Sequence, residues 1–206
     1  MYKYFEKSKN NVMLNNCDRQ IEDTIYINSK QRGAIADFAD SMRFLLYPRL
    51  EAGRELVLLC IGTDRITGDS LGPIIGHNLL KRRVSGRPVI YGTLESPVHA
   101  KNLAHTMEEI YSRHTEPLVV AVDASLGRPQ SVGFVTIGVG ALSPGTGVRN
   151  SLPEVGDIYV TGIVNSSGDA NLVTLQNTRL ALVIKLADVI TKGFLRTLRT
   201  GSKVNF

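Results

Sequence analysis

Apolar residues along the chain form short continuous runs that alternate with amphipathic stretches. The runs at 56–61 and 117–123 lack the polar alternation of a half-exposed strand, so they predict strands that are buried on both faces, and 88–93 predicts a further strand. Between these runs, residues 70–83 and 99–114 carry apolar side chains at helical spacing. Strands and helices that alternate with short connections predict a parallel sheet with helices on both of its faces.

A further helix is predicted before these alternating strands and helices, and two strands and a long helix are predicted after them. Residues 31–47 follow helical spacing, and Pro48 is predicted to end that helix. Two further strands are expected at 132–139 and 157–164, and a single long helix is expected after Asp169. The predicted inward face of that helix comprises Leu172, Leu175, Leu180, Val183, Ile184, Ala187, Ile190, Phe194 and Leu198.

These elements predict an α/β protein with one domain. The length of 206 residues suits a single α/β domain and allows a sizeable core. No internal repeat, low-complexity segment or linker divides the chain. We therefore expect an N-terminal arm at 1–29, a single α/β domain at 30–200 and a C-terminal tail at 201–206.

Composition and charge narrow the class of protein without identifying an activity. The net charge of +5 is spread along the chain, which predicts a solvated surface and no nucleic-acid-binding face. Cys60 lies inside the first buried strand and Cys17 in a polar segment, and two reduced thiols fit a cytosol-like compartment. No apolar run has the length of a signal peptide core or a membrane span, so we expect a soluble cytoplasmic protein.

Two aspartates follow predicted parallel strands. Asp69 lies in the turn that leads from the first strand into a helix, and Asp123 ends the third strand. Because such strand ends meet at one edge of a sheet, both carboxyl groups can face one cleft. One member of a close pair can activate water while the other protonates a leaving amine. Structural roles stay open, with Asp69 as a helix N-cap and Asp123 as the cap of a turn.

Other chemistry has weaker support in the sequence. All four histidines precede Asp123, and neither their spacing nor a cysteine pair forms a metal motif, so we expect no metal and no other cofactor. No serine lies in a nucleophile motif. The glycine-rich loop 143–147 can cradle a substrate backbone, and residues 165–169 can bind an anion ahead of the last helix.

Three motifs resemble, in the same order, those of the spore germination protease and hydrogenase maturation protease superfamily. The motifs are Gly62-Thr-Asp-Arg-Ile-Thr-Gly-Asp-Ser-Leu-Gly-Pro73, Val119-Val-Ala-Val-Asp-Ala124 and Ser143-Pro-Gly-Thr-Gly-Val148. Within this superfamily the chain is similar to the YyaC family of sporulation proteins, over roughly residues 55–195.

This resemblance implies a three-layer α/β/α sandwich of phosphorylase/hydrolase-like type with a mostly parallel sheet. It also implies that Asp69 and Asp123 form an aspartic-type catalytic pair. In hydrogenase maturation proteases the equivalent acids bind nickel with a downstream histidine, whereas this chain has no histidine after Asp123. The predicted substrate-binding residues are Asp64, Gly145, Thr146 and Gly147.

The resulting hypothesis is a peptidase of sporulating cells, located in the forespore or spore core. We expect it to hydrolyse peptide bonds in an intracellular protein substrate, such as the small spore proteins. The alternative is a catalytically inactive protein that binds a peptide or a partner on the same fold. Neither membrane nor nucleic acid is expected as a partner, and homo-oligomerisation stays open.

Overall fold

The computed structural model describes residues 24–50, 53–82, 88–144, 152–168 and 170–199. The strands in these ranges are β1 (Ile25–Asn28), β2 (Leu56–Cys60), β3 (Val89–Tyr91), β4 (Leu118–Gly127), β5 (Phe134–Val139) and β6 (Ile158–Ser166). The α-helices are α1 (Ala34–Leu50), α2 (Leu71–Leu80), α3 (Leu103–Arg113), α4 (Asn171–Gln176) and α5 (Leu180–Arg199).

All of these strands form one sheet in the order β1-β5-β6-β4-β2-β3. Strands β3, β2, β4 and β6 pair in parallel, while β5 runs antiparallel to both of its neighbours. Strand β1, which lies in the range predicted as the N-terminal arm, occupies one edge of the sheet. The predicted mostly parallel sheet is confirmed.

Two apolar clusters lie on opposite faces of this sheet. Along β2, Leu58 and Cys60 face the cluster that α1, α2 and α5 cover, whereas Val57 and Leu59 face the cluster that contains α3. The α/β/α sandwich is therefore also confirmed. Among the helices of the described ranges, none has both the length and the apolarity needed to cross a bilayer.

Strand β4 is longer than the sequence pattern predicted, which places Asp123 inside the strand. The strand continues from Asp123 to Gly127 because β6 pairs with this polar extension. A shift in register between Ser125 and Leu126 accommodates the pairing. The prediction that the strand ends at Asp123 was wrong, since the apolar run marks only its buried part.

The predicted single C-terminal helix is two helices, α4 and α5, separated by a short break. At the break, the Thr178 hydroxyl donates to the Thr174 carbonyl at 2.9 Å, and the Asn165 amide donates to both residues. These bonds replace the helical continuation with a turn that is fixed to the end of β6. Leu172 of α4 and both Leu180 and Ile184 of α5 are 51%, 56% and 45% exposed, so the prediction that they face inward was wrong.

Helix α1 continues through Pro48, which was predicted to end it. Leu46 and Leu50 are both buried, so core packing extends the last turn beyond the proline. The Arg49 guanidinium donates to the Leu45 carbonyl at 2.8 Å and satisfies an acceptor in this final turn.

Candidate active site

The turn between β2 and α2 brings Asp69 back to the end of β2. Gly62 begins the turn with φ of +136°, a left-handed conformation that side chains disfavour. A Cβ atom at Gly62 would collide with the Asp69 carbonyl oxygen. That same oxygen accepts a hydrogen bond from the Thr63 N–H at 3.1 Å. Glycine at position 62 therefore allows the backbone of Asp69 to lie directly against the strand end.

Asp69 belongs to a 3-10 turn, Thr67–Ser70, immediately before α2. Ser70 occupies the N-cap position of α2 but makes no side-chain capping bond; its hydroxyl donates to the Thr67 carbonyl at 2.7 Å. The carboxyl group of Asp69 does not cap the helix either, since Asp69 precedes the N-cap position. The capping role for Asp69 is wrong, and its partly buried carboxyl group accepts a hydrogen bond from the Thr63 backbone.

Asp123 lies on the neighbouring strand β4, next to the end of β2. Its side chain is buried, and its Oδ1 accepts the Ala124 N–H at 2.7 Å. The β2 end is joined to this point of β4 by the Ile61 N–H, which donates to the Val122 carbonyl at 2.7 Å. Asp123 is thus held by regular strand pairing and does not cap a turn.

The structure brings the carboxyl groups of Asp69 and Asp123 close enough to interact electrostatically. Burial raises the pKa of Asp69 to about 6, and a hydrogen bond from the Thr63 backbone partly opposes this rise. Burial, and then the charge of Asp69, raise the pKa of Asp123 well above its ordinary value, against a smaller opposing effect of the Ala124 N–H. Ionisation of one carboxyl group therefore disfavours ionisation of the other, and the two groups titrate as a coupled pair.

The other predicted site residues are Asp64 and the loop residues Gly145, Thr146 and Gly147. Asp64 lies in the same turn as Asp69, and its side chain is exposed. Gly145, Thr146 and Gly147 lie outside the described residues, so their predicted role stays a prediction. Within the described part of the chain, no three histidine, cysteine or acidic side chains form a cluster that could hold a metal ion.

The segment at 165–169, considered above as an anion site, has a structural role at Asn165. The Asn165 amide nitrogen donates to the Thr174 carbonyl and the Thr178 hydroxyl, and its Oδ1 accepts the Ser166 N–H. Helix α4 packs in turn against Gly68, where an added Cβ atom would press on Leu175 and Thr178. Asn165 therefore anchors a short helix beside the turn that carries Asp69.

Sequence reasoning missed a set of hydroxyl groups beside Asp123. Thr161 pairs with Asp123 across β4 and β6, and its hydroxyl lies 3.0 Å from that of Ser125 and 2.7 Å from that of Thr136. These side chains line a cleft of about 600 Å³ that extends toward Tyr26 of β1. In the sequence, this set could have been recognised from the single threonine that follows an apolar residue in each of β5 and β6.

The fold and this site define an α/β/α protein with two interacting carboxyl groups at the carboxyl edge of its sheet. Residues 26–193 match the family described as a protein of unknown function, DUF1256, and the chain belongs to that family. It is 51% identical over 152 residues to the uncharacterized protein YyaC of Bacillus subtilis (strain 168), covering 74% of each chain. The predicted relationship to YyaC is confirmed.

A search of solved structures found a likeness to the [NiFe] hydrogenase maturation protease HycI from Thermococcus kodakarensis KOD1. The match has a TM-score of 0.34 and 14% sequence identity, and it covers 66% of this chain and 92% of the other.

Proposed function

We propose that this protein is a peptidase that uses Asp69 and Asp123 to hydrolyse peptide bonds. The observation that carries the proposal is the proximity of two carboxyl groups, one after the end of β2 and one on β4, where burial raises the pKa of both and the charge of Asp69 adds to the rise at Asp123. A base and an acid within one site are the groups that peptide hydrolysis requires.

In the proposed reaction, the ionised Asp69 accepts a proton from water as the water oxygen bonds to the peptide carbonyl carbon. Asp123 then gives its proton to the leaving nitrogen as the carbon–nitrogen bond breaks. The products are a carboxyl group and an amine. Transfer of the proton from Asp69 to Asp123, through solvent, restores the starting state.

The biological setting is part of the same proposal. The motifs around Asp69 and Asp123 resemble those of the spore germination protease, which supports a role in sporulation and a location in the forespore or spore core. We propose an intracellular protein substrate, with the small spore proteins as the first class to test. The loop residues Gly145, Thr146 and Gly147, together with Asp64, are proposed to line the substrate cleft.

The test is to incubate the protein with a spore extract and with a pool of synthetic peptides, and to map new peptide ends by mass spectrometry. Asp69→Asn and Asp123→Asn should each abolish cleavage while the circular dichroism spectrum stays unchanged. Asp188→Asn, which changes an exposed carboxylate on α5, is the matched control and should cleave as the wild type does. Equal cleavage by either active-site variant would refute the catalytic pair.

A wild-type protein that binds peptides from the same pool but cleaves none would support the alternative function. The chain would then be a catalytically inactive peptide-binding protein on this fold. Binding is measured separately, by retention of unmodified peptides on the immobilised protein.

A further inference from the structure

One face of the sheet is covered near α3 but open beyond Asp123. Val119 and Ala121 of β4 face the apolar cluster that contains α3. Asp123 lies next along that face, where the apolar cluster ends, and Ser125, two residues further along β4 on the same face, lines the cleft of about 600 Å³. The cleft therefore adjoins Asp123, whose register partner Thr161 lies in its lining.

A row of paired residues crosses this open face, one on each strand. Asp123 pairs with Thr161, Thr161 with Thr136, and Thr136 with Tyr26 of the edge strand β1. Residues that pair in register point to the same face of a sheet. Three strand spacings separate Asp123 from β1, which gives the row a length of ~14 Å.

The floor and one wall of the cleft are fixed by hydrogen bonds between side chains. Thr161 bonds to Ser125 and to Thr136 in the floor. In the wall, the Tyr159 hydroxyl lies 2.6 Å from the hydroxyl of Thr24. A side chain at Gly138 would collide with the Tyr159 ring, so glycine at this position leaves space for that wall.

The other wall carries the polar side chains Arg128, Gln130 and Ser131. Arg128 is exposed, forms no ion pair with a described residue, and is the one charged side chain among the described residues that line the cleft. The remaining lining is mostly hydroxyl and amide groups, which both donate and accept hydrogen bonds. Such a lining matches the alternating donors and acceptors of a polypeptide main chain.

We infer that this cleft is a groove that binds an extended polypeptide segment on one side of the scissile bond. This inference rests on the proposed peptidase function. A row of ~14 Å accommodates about four residues of extended chain at ~3.3 Å per residue. The cleft volume also falls within the usual range of ligand sites. The groove runs from Ser125 of β4, two residues beyond Asp123, to β1, across the strands.

The first test measures how cleavage depends on substrate length. The best-cleaved peptides from the synthetic pool are shortened stepwise from each end. Removing residues within about four positions of the scissile bond, on the side that occupies the groove, should lower kcat/KM about tenfold. Unchanged kcat/KM for peptides shortened to a single residue on either side would overturn the inference.

The second test changes the exposed wall, where folding is not at risk. Gln130→Trp, which fills the cleft, and Arg128→Ala, which removes its charge, should each raise KM for the long peptides about tenfold with little change in kcat. Lys185→Ala removes an exposed charge on α5, on the other side of the sheet, and should leave both constants unchanged. Unaltered KM in both wall variants would also overturn the inference.

The third test is a binding measurement that does not depend on catalysis. The double variant Asp69→Asn/Asp123→Asn is mixed with the peptide pool and followed by hydrogen exchange. Slower exchange in β1 and β5, with α5 unchanged, supports the groove even if no peptide is cleaved. Protection elsewhere, or none, would overturn it. Cleavage that survives in the Asp69 or Asp123 variants would instead refute the proposed function and leave this binding result intact.

Discussion

At the residue scale, the two aspartates are distinguished by their surroundings and not by their chemistry. Asp69 is partly buried in a 3-10 turn, whereas Asp123 is buried within a strand and also experiences the charge of Asp69. Burial penalises the charged form of a carboxyl group, so it raises the pKa of both residues, and the charge of Asp69 adds to the rise at Asp123. The sequence could predict that the two strands would bring both residues to one edge. The extent to which each carboxyl group is buried depends on tertiary structure, which the sequence pattern did not show.

The raised pKa of Asp69 has a consequence for stability. Its folded-state pKa of about 6 exceeds the unfolded value, so the folded protein loses stability as pH rises through about 6. Below the unfolded pKa the carboxyl is protonated in both states and this loss is absent. Asp69→Asn should therefore raise the free energy of unfolding by about 1–3 kcal/mol near pH 8 and have little effect near pH 4, in urea titrations.

Asp188→Asn is the control for that measurement, because its exposed pair with Lys192 contributes at most about 0.5 kcal/mol. Destabilisation by Asp69→Asn near pH 8 that exceeds any loss near pH 4 would show that the carboxylate makes stabilising contacts in the folded protein. Such a result would contradict the explanation that burial of the charged Asp69 side chain destabilises the folded protein.

The same pair predicts how the proposed activity depends on pH. The rate should increase with pH as Asp69 ionises near pH 6, because the base must be charged to accept a proton from water. It should fall again at higher pH, where Asp123 loses the proton that the leaving nitrogen needs. The measurement is kcat/KM against pH for one peptide in a buffer of constant ionic strength. A rate that is flat between about pH 5 and pH 8 would exclude this assignment.

At the element scale, close backbone contacts at the end of β2 determine where Asp69 lies. Continuous apolar runs correctly predicted β2 and β4, since buried parallel strands need apolar side chains on both faces. The hydroxyl groups of Thr136 and Thr161 could not be placed in the same way. Their meeting requires β5 to pair with β6 in the antiparallel direction, and this depends on tertiary structure. The break between α4 and α5 likewise depends on Asn165, which is distant in sequence.

Gly62→Ala tests the turn that carries Asp69. The substitution places a side chain at φ of +136° and against the Asp69 carbonyl. Backbone strain should cost about 1–3 kcal/mol, and the collision should add about 1–3 kcal/mol more, as measured by urea unfolding. Gly140→Ala is the matched control, because Gly140 also has a left-handed φ, of +115°, with no heavy atom nearby to collide with. Equal losses of unfolding free energy in the two variants would mean that the turn at Gly62 adjusts to the added methyl group without any further loss of stability.

At the scale of the whole molecule, the first and last described helices pack together on one face of the sheet. Phe38 of α1 and Phe194 of α5 contact each other edge to face, with ring centroids 5.1 Å apart. Both side chains are fully buried in the cluster that also contains α2. The contact joins elements that are separated by most of the chain, so α1 belongs to the same core as the parallel strands. Its position ahead of β2 in the sequence did not show which face it would cover.

Gly193 provides a test of this packing, because a Cβ atom there would collide with the Phe38 ring. In an unobstructed helix, Gly→Ala stabilises by about 1 kcal/mol, whereas overpacking a core costs about 1–3 kcal/mol. Gly193→Ala should therefore destabilise the protein in urea unfolding. Phe38→Leu should relieve the collision, so the double variant should lose less stability than the sum of the two single losses. Additive losses would show that Gly193 and Phe38 do not interact, and that α1 and α5 pack in a different register.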